Sequence, residues 1–565
     1  AETPAELFAR VARAVAEAEL RLGTAKQAAT WQERFEGLMT SLAFLPSSPV
    51  LMNAGTALGQ LSACFVLPIE DSLESIFDTL RAMALVQRGG GGAGFSFSRL
   101  RPRGDLIASV GGAASGPVSF MRVYDAATQN VKLGGRRRGA NMGVLRVDHP
   151  DILEFIDAKL DGALPNFNLS VAVTDAFLGA VERRDAYDVV HPERREPVGR
   201  LDARGVFDRI VDRAWRVGDP GLLYLDAINR ANPTPARGDI EATNPCGEVP
   251  LLPWESCVLG SVNLAAMVSD GGGRAAIDWD RLGDTVRTGV RFLDDVVEIN
   301  RDPLPEIAAR SRESRKIGLG VMGFAECLIR LGVPYDSDEA VAWAERLAAS
   351  IAAEARAASR ALAEARGVFP GWRRSVHAAN GLRLRNATLL SVAPTGTISI
   401  LAGTTGSIEP LFALAYRREH TLGGAPLVEV NPVFLRSLRA RRADAAALLD
   451  AVLTTGRLRG IPDVPEDLAR LFATATEIPA RRHLAIQAAF QRHVDNAVAK
   501  TINLPPETHA EDVAGVMLEG WRLGLKGLTV YRSGTKPGQV LTLGIGDDAT
   551  ARELFAKCDP DACRL

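Results

Sequence analysis

Short β-branched runs alternate with glycine-rich loops and long helical stretches along this chain of 565 residues. That alternation restricts it to the α/β class. Residues 169–174, 389–393 and 528–531 read as strands. Residues 286–300 and 337–366 read as helices. So does the N-terminus, where Pro4 suits a first turn and Leu7, Val11, Val15 and Leu20 fall near helical spacing. The helical pattern stops at Leu45-Pro46-Ser47-Ser48-Pro49, and residues 545–565 read as a polar, mobile tail.

Two long stretches, residues 37–69 and 386–408, carry no charge, but prolines and glycines interrupt both. The apolar run at 341–365 is broken by Glu345, Arg346, Glu354, Arg356 and Arg360, so no membrane span is expected. No charged segment followed by an apolar one heads the chain, so no signal peptide is expected either. The 66 basic and 68 acidic residues nearly cancel, which argues against a whole-surface grip on DNA. Six cysteines are too few for a disulfide scaffold in a chain this long. The composition fits a large cytoplasmic enzyme. There is no C-x-x-C, no H-E-x-x-H and no Cys/His zinc spacing, so no protein-ligated metal is expected.

Two segments match G-x-G-x-x-G, Gly89 to Gly94 and Gly318 to Gly323, the second with Asp336 near the distance of a ribose-binding acid. Neither follows a buried strand, so tight turns and close backbone packing explain them better than a dinucleotide fold. The run Ser391 to Ser399 places small and hydroxyl residues after a strand-like segment. A helix starting at Thr397 would turn free backbone N–H groups toward an anion; a simple helix cap is the equal alternative. Lys132-Leu133-Gly134-Gly135-Arg136-Arg137-Arg138 is either a solvated charge run or a basic loop that closes over phosphates.

The densest chemistry is Asn244-Pro245-Cys246-Gly247-Glu248, followed by Cys257. In an extended segment Asn244, Cys246 and Glu248 would point the same way and converge on one ligand, while Pro245, Gly247 and Pro250 would hold the backbone in an irregular turn. A buried cysteine in a loop is the plainer reading.

These residues resemble the ribonucleotide reductases. Similar stretches run from Pro46 to Gly55, Ser62 to Asp71, Gly134 to Asn141, Lys316 to Phe324, Pro394 to Thr397 and Leu525 to Arg532, so the resemblance covers almost the whole chain. It implies a ten-stranded α/β barrel with the Cys246 loop threaded through its centre. Residues 1–45 would be a helical preface, 46–544 the barrel and 545–565 a tail. Cys246 would carry a thiyl radical that removes the 3′-hydrogen of a ribonucleotide. Glu248 would take the 3′-hydroxyl proton and Asn244 would hydrogen-bond the sugar. Cys64 and Cys257 would be the reducing dithiol. Ser48, Pro394, Thr395, Gly396, Thr397 and Ile398 would hold substrate. Asp71, Arg101, Lys132 and Arg137 would belong to a deoxynucleotide effector site at a homodimer interface. Cys558 and Cys563 would relay electrons from thioredoxin or a similar dithiol. Cys327 is the bystander.

The family divides by its radical source. The oxygen-dependent class draws on a metal-bearing partner subunit through adjacent tyrosines; this chain has six tyrosines, none adjacent, and reads Val530-Tyr531 at the matching place. No glycyl-radical motif is present. The resemblance therefore favours the adenosylcobalamin-dependent class, with the large subunit of a two-protein reductase as the alternative. With no regulatory domain before residue 46, overall control by ATP and dATP is not expected.

Overall fold

The computed structural model describes residues 2–107, 111–133, 137–269, 275–418, 427–441, 445–535 and 541–544. Two helices open it, Pro4–Leu22 and Ala25–Thr40. Each starts at a capping box, Thr3 with Glu6 and Thr24 with Gln27, in which side chain and backbone satisfy each other's free groups. Phe8, Val11, Val15, Phe35 and Met39 pack into one core with the long helices Trp279–Ile299 and Asp338–Arg366. The latter begins where Ser337 accepts a hydrogen bond from the Ala340 N–H, close to the start expected from the sequence.

The central sheet has ten strands. In chain order they are β1 (Phe44–Pro46), β2 (Cys64–Val66), β3 (Gly92–Ser96), β4 (Asn141–Arg146), β5 (Phe167–Val173), β6 (Gly221–Tyr224), β7 (Ser256–Asn263), β8 (Ile317–Met322), β9 (Thr501–Leu504) and β10 (Gly527–Arg532). Strands β2, β3, β4, β5 and β6 lie side by side and parallel. The parallel pairs β7/β8 and β9/β10 run the opposite way and meet the first set at two antiparallel seams, β2/β7 and β6/β10. Residues 389–393 do not form the regular strand expected. They make single parallel bridges, Leu390 to Leu319 and Val392 to Val498, which carry the sheet from β8 round toward β9. The Asp495 carboxylate takes the Leu389 and Leu390 N–H groups, diverting them from a ladder.

Alternation along the strands sorts the core. Phe65, Leu145, Val171 and Leu222 face outward into a helix-covered cluster, whereas Cys64, Val66, Val144, Ala172, Leu223, Cys257 and Leu259 form a separate inner one. Outside the barrel, Glu19 accepts hydrogen bonds from Arg291 and Arg366, both at 2.6 Å. Arg366 also meets Asp294 at 3.0 Å and Asp295 at 2.6 Å, and Arg315 meets Asp294 at 2.8 Å. This buried ion network ties the first helix to the barrel's outer layer. A further core, built on Leu411, Leu414, Phe434, Val452 and Phe472, holds a region the sequence reading did not separate. No helix among the described residues is long and apolar enough to cross a membrane.

Candidate active site

The glycine motifs prove to be barrel walls. The inward positions of β3 include Gly92 and Gly94, and those of β8 include Gly318 and Gly320. A Cβ on Gly94 would collide with the Thr243 carbonyl, and one on Gly92 would lie 2.8 Å from the Pro245 ring. The space is taken by the loop at 244–248, carried between the short paired strands Ala242–Thr243 and Pro250–Leu251. Asp336, the would-be ribose acid, is paired with Arg470 at 3.1 Å. Close backbone packing is therefore the role of these glycines.

The loop is an irregular turn, as expected from Pro245 and Gly247, and not a fully extended segment. The Gly247 N–H donates to the Asn244 carbonyl at 3.0 Å, and Gly247 takes the left-handed φ of +83° that glycine allows. The Val249 N–H donates to Asn244 Oδ1 at 3.0 Å and closes the loop. Asn168 Nδ2 holds the Pro245 carbonyl at 2.8 Å. Ser391 Oγ and the Ala497 N–H hold the Glu248 carbonyl, each at 2.9 Å. These anchors leave Cys246 exposed at the tip and bury Asn244 and Glu248 behind it.

Asn244 Nδ2 donates to Cys64 Sγ at 3.1 Å, and Cys64 Sγ lies 3.8 Å from Glu248 Oε1. Cys64 and Cys257 are direct partners across the β2/β7 seam. Opposed residues in an antiparallel pair sit about 4.5–5.5 Å apart at Cα, inside the span a disulfide bridges. Both thiols are reduced and buried. Burial pushes both well above the ordinary thiol range. The Glu248 carboxylate adds to the effect at Cys64, whereas Lys316 opposes it at Cys257. Glu248 is itself pushed up to about 7 by burial, against hydrogen bonds from Asn244 and Cys64, and its Oε2 is buried without a hydrogen-bond partner.

Cys64, Asn244, Cys246 and Glu248 form one side of a cavity of about 180 Å3. Ser48, Pro394, Thr395, Gly396, Thr397 and Ile398 line another, so the two uncharged stretches meet here. Thr397 precedes the helix Ile398–Ala402 but makes no side-chain cap bond, which sets aside the simple cap. Thr395 holds a φ of +55°, and its hydroxyl accepts the Ser407 N–H at 2.7 Å. The sequence reading missed Ser47, which lines the cavity with a buried hydroxyl that has no partner. Its place beside Ser48 at the start of the helix Ser48–Asn53 was the available signal.

Asp71 and Arg101 pair with each other at 2.7 Å and do not line this cavity. Lys132–Leu133 and Arg137–Arg138 form a small hairpin before β4; the side chains of Lys132 and Arg137 lie outside the described residues. Cys558 and Cys563 also lie outside them. Cys327 is fully buried in the helix Phe324–Leu331, its thiol pushed up to about 12. Tyr531 stands opposite Asn503 on β10 and is not among the cavity residues.

Gly94→Ala is expected to lower turnover about a hundredfold, because a misplacement of about 1 Å in a reacting group costs that much. The Thr243 carbonyl must shift to admit the methyl group. Steady-state kinetics beside a thermal unfolding curve would check it; unchanged turnover would show that the loop tolerates the displacement.

Residues 62–384 and 379–531 match the family described as the ribonucleotide reductase barrel domain, and residues 1–59 match its all-alpha domain. A vitamin B12-dependent ribonucleoside-diphosphate reductase of Mycobacterium tuberculosis is 53% identical over 565 residues, covering 99% of this chain and 80% of that protein. One from Thermoplasma acidophilum is 51% identical over 522 residues, covering 92% and 67%. Among solved structures, the class Id ribonucleotide reductase alpha subunit of Actinobacillus ureae superposes with a TM-score of 0.77 at 24% identity, covering 94% of each chain. That likeness concerns the fold.

Proposed function

The chain belongs to the ribonucleotide reductase family, and we propose from this that it reduces ribonucleoside diphosphates to 2′-deoxyribonucleotides with adenosylcobalamin as radical source. The observation that carries the reading is the cavity itself, where an exposed cysteine adjoins a buried carboxylate and a cross-strand thiol pair. The B12-dependent relatives and a sequence in which no two tyrosines are adjacent support the cobalamin assignment.

The site suits a cofactor that brings its own metal ligands. Among the described residues no three His, Cys, Asp or Glu side chains converge as a metal site, and no histidine lines the cavity. Gly90, Gly91, Gly92 and Ala140 line the same cavity as exposed Cys246, and these small residues would border the cofactor. Adenosylcobalamin, when bound, supplies a radical by homolysis of its own bond.

As a thiyl radical, Cys246 takes the 3′-hydrogen atom. The Glu248 carboxylate takes the 3′-hydroxyl proton. The 2′-hydroxyl leaves as water with a proton from Cys64. Cys64 and Cys257 together give up two electrons and two protons and end as a disulfide: one proton leaves in the water, and the other, with both electrons, becomes the new hydrogen at C2′. Glu248 returns its proton to the 3′-oxygen, and Cys246 returns its hydrogen atom to C3′. The loop at 394–398 and the pair Ser47 and Ser48 offer hydroxyls and backbone N–H groups to phosphate and ribose. Asp71, Arg101 and the hairpin with Lys132 and Arg137 are proposed to bind a deoxynucleotide effector at a homodimer interface. Cys558 and Cys563 are proposed to pass electrons from a thioredoxin-type dithiol.

Turnover of ribonucleoside diphosphates with dithiol and effector, assayed with and without adenosylcobalamin, tests the reading. Turnover only with the cofactor supports it; turnover only after addition of a radical-bearing partner protein overturns the cobalamin assignment. The Glu248 pKa near 7 adds a pH signature. The base form is lost as pH falls through 7, so kcat/KM should drop about tenfold per unit below it. Glu248→Gln should flatten that limb as well as lower the rate. A limb that survives in Glu248→Gln would assign it to another group.

A further inference from the structure

The two thiols of the seam pair are not equivalent. Cys64 lines the cavity, so a thiol entering there meets its sulfur first. Cys257 does not line it and is 1% exposed. Behind Cys257 the sheet continues into β8. Val258 pairs with Ile317, so Lys316 stands level with Cys257 on the neighbouring strand. A Cβ on Gly318 would lie 3.5 Å from Cys257 Sγ, which puts that sulfur over β8 on the face Gly318 shares with Lys316. Lys316 Nζ is bound to Glu255 Oε2 at 2.5 Å, and Glu255 also accepts the Leu252 N–H at 2.9 Å. Side chains of both Lys316 and Glu255 are almost wholly buried. A buried ion pair that costs desolvation on both sides thus stands beside one cysteine of the pair. The charged and titratable groups around Cys257 are Lys316 on β8, Glu255 on its own strand, Glu248 on the loop and Cys64 across the seam.

We propose that the oxidised pair is re-reduced in one direction only, by attack at Cys64 with Cys257 leaving as a thiolate steadied by the Lys316 ammonium. This rests on the dithiol role given to the pair under Proposed function. A thiolate of the external dithiol attacks Cys64 Sγ; the Cys64–Cys257 bond breaks and its electron pair goes to Cys257 Sγ. The second thiolate of the reductant then attacks the mixed disulfide at the reductant's own sulfur and frees Cys64. The reductant ends as a disulfide, and the two protons its thiols gave up end on Cys64 and Cys257. Disulfide exchange speeds up as the leaving thiolate is stabilised, so the sulfur beside the cation is the better leaving group. Glu255 is a positioning residue that holds the Lys316 ammonium.

Purified protein oxidised with diamide, treated with glutathione as a monothiol and alkylated with N-ethylmaleimide tests the direction by peptide mass mapping. The expected product carries glutathione on Cys64 and the maleimide on Cys257. The reverse pattern, or an even mixture, overturns the proposal while leaving the dithiol role intact. Failure of diamide to join Cys64 to Cys257 overturns the dithiol role and the proposal with it. A second arm compares the rate at which dithiothreitol reduces the oxidised protein. The double variant Lys316→Met with Glu255→Leu, which leaves no lone buried charge, should be about tenfold slower than the parent. Lys316→Arg should recover most of the parent rate. Equal rates in the parent and the double variant overturn the role of Lys316.

Discussion

Replacement of Cys246 by serine is expected to abolish deoxynucleotide formation while nucleotide affinity stays within about twofold of the parent, since most of the cavity lining is unchanged. A hydroxyl O–H bond is stronger than a thiol S–H bond, so a serine at the tip cannot pass a hydrogen atom to and from C3′ in the same way. The loss should bring turnover to background, at least about 10⁶-fold, the low end of enzymatic rate acceleration. The turn should survive, because its anchors are the Asn244, Gly247, Glu248 and Val249 groups rather than the sulfur. Equilibrium binding of a ribonucleoside diphosphate alongside a turnover assay separates the two effects. A variant that retains even a hundredth of the parent rate would remove Cys246 from the chemistry.

Arg366→Ala is expected to destabilise the folded chain by about 3–5 kcal/mol, the cost of leaving buried charge without its partner. Arg366 is the cation shared by Glu19, Asp294 and Asp295, all within 1% of full burial. Removing it leaves Asp295, which burial and then the Glu19 and Asp294 carboxylates already push far above the usual carboxylate range, without its cation. Glu19, by contrast, is held near 2 by Arg291 and Arg366 against its own burial. The two carboxyl groups contribute with opposite signs: the raised Asp295 contributes stability that is lost as pH rises through its folded pKa, and Glu19 does the reverse. The depressed value of Glu19 contributes stability that is present above the unfolded pKa near 4.5 and is lost as pH falls toward 2. Urea unfolding of the parent and the variant at neutral pH, followed by the midpoint, measures the cost. A shift equivalent to less than 1 kcal/mol would show that water or a neighbouring arginine replaces the lost group.

Much of this was legible in the sequence, for reasons that differ by residue. Helix limits such as Ser337 were readable because capping is local chemistry. The loop with Asn244, Cys246 and Glu248 was readable as a cluster, and its irregular turn from Pro245 and Gly247, because these residues are close in sequence; the anchors that hold the loop were not. Those anchors come from Asn168, Ser391 and Ala497, on distant parts of the barrel. The pairing of Cys64 with Cys257 came from resemblance alone, because strand register between distant segments leaves no local trace. The region with Phe434 and Phe472 was not separated, since its core joins residues on both sides of several turns. Lys316 gave no signal of its own; its meaning depends on the register of β8 against β7.

The β2/β7 seam has a mechanical consequence. It is one of the two lines along which the oppositely running halves of the barrel are joined, and the Cys64–Cys257 pair lies on it. In a catalytic cycle that oxidises this pair, the barrel is riveted shut along one line once per turnover and released before the next. Hydrogen bonds already close that seam with both thiols reduced, from the Ala63 N–H to the Cys257 carbonyl and from the Val66 N–H to the Glu255 carbonyl, so each turnover would add a covalent lock to a joint that is shut without it.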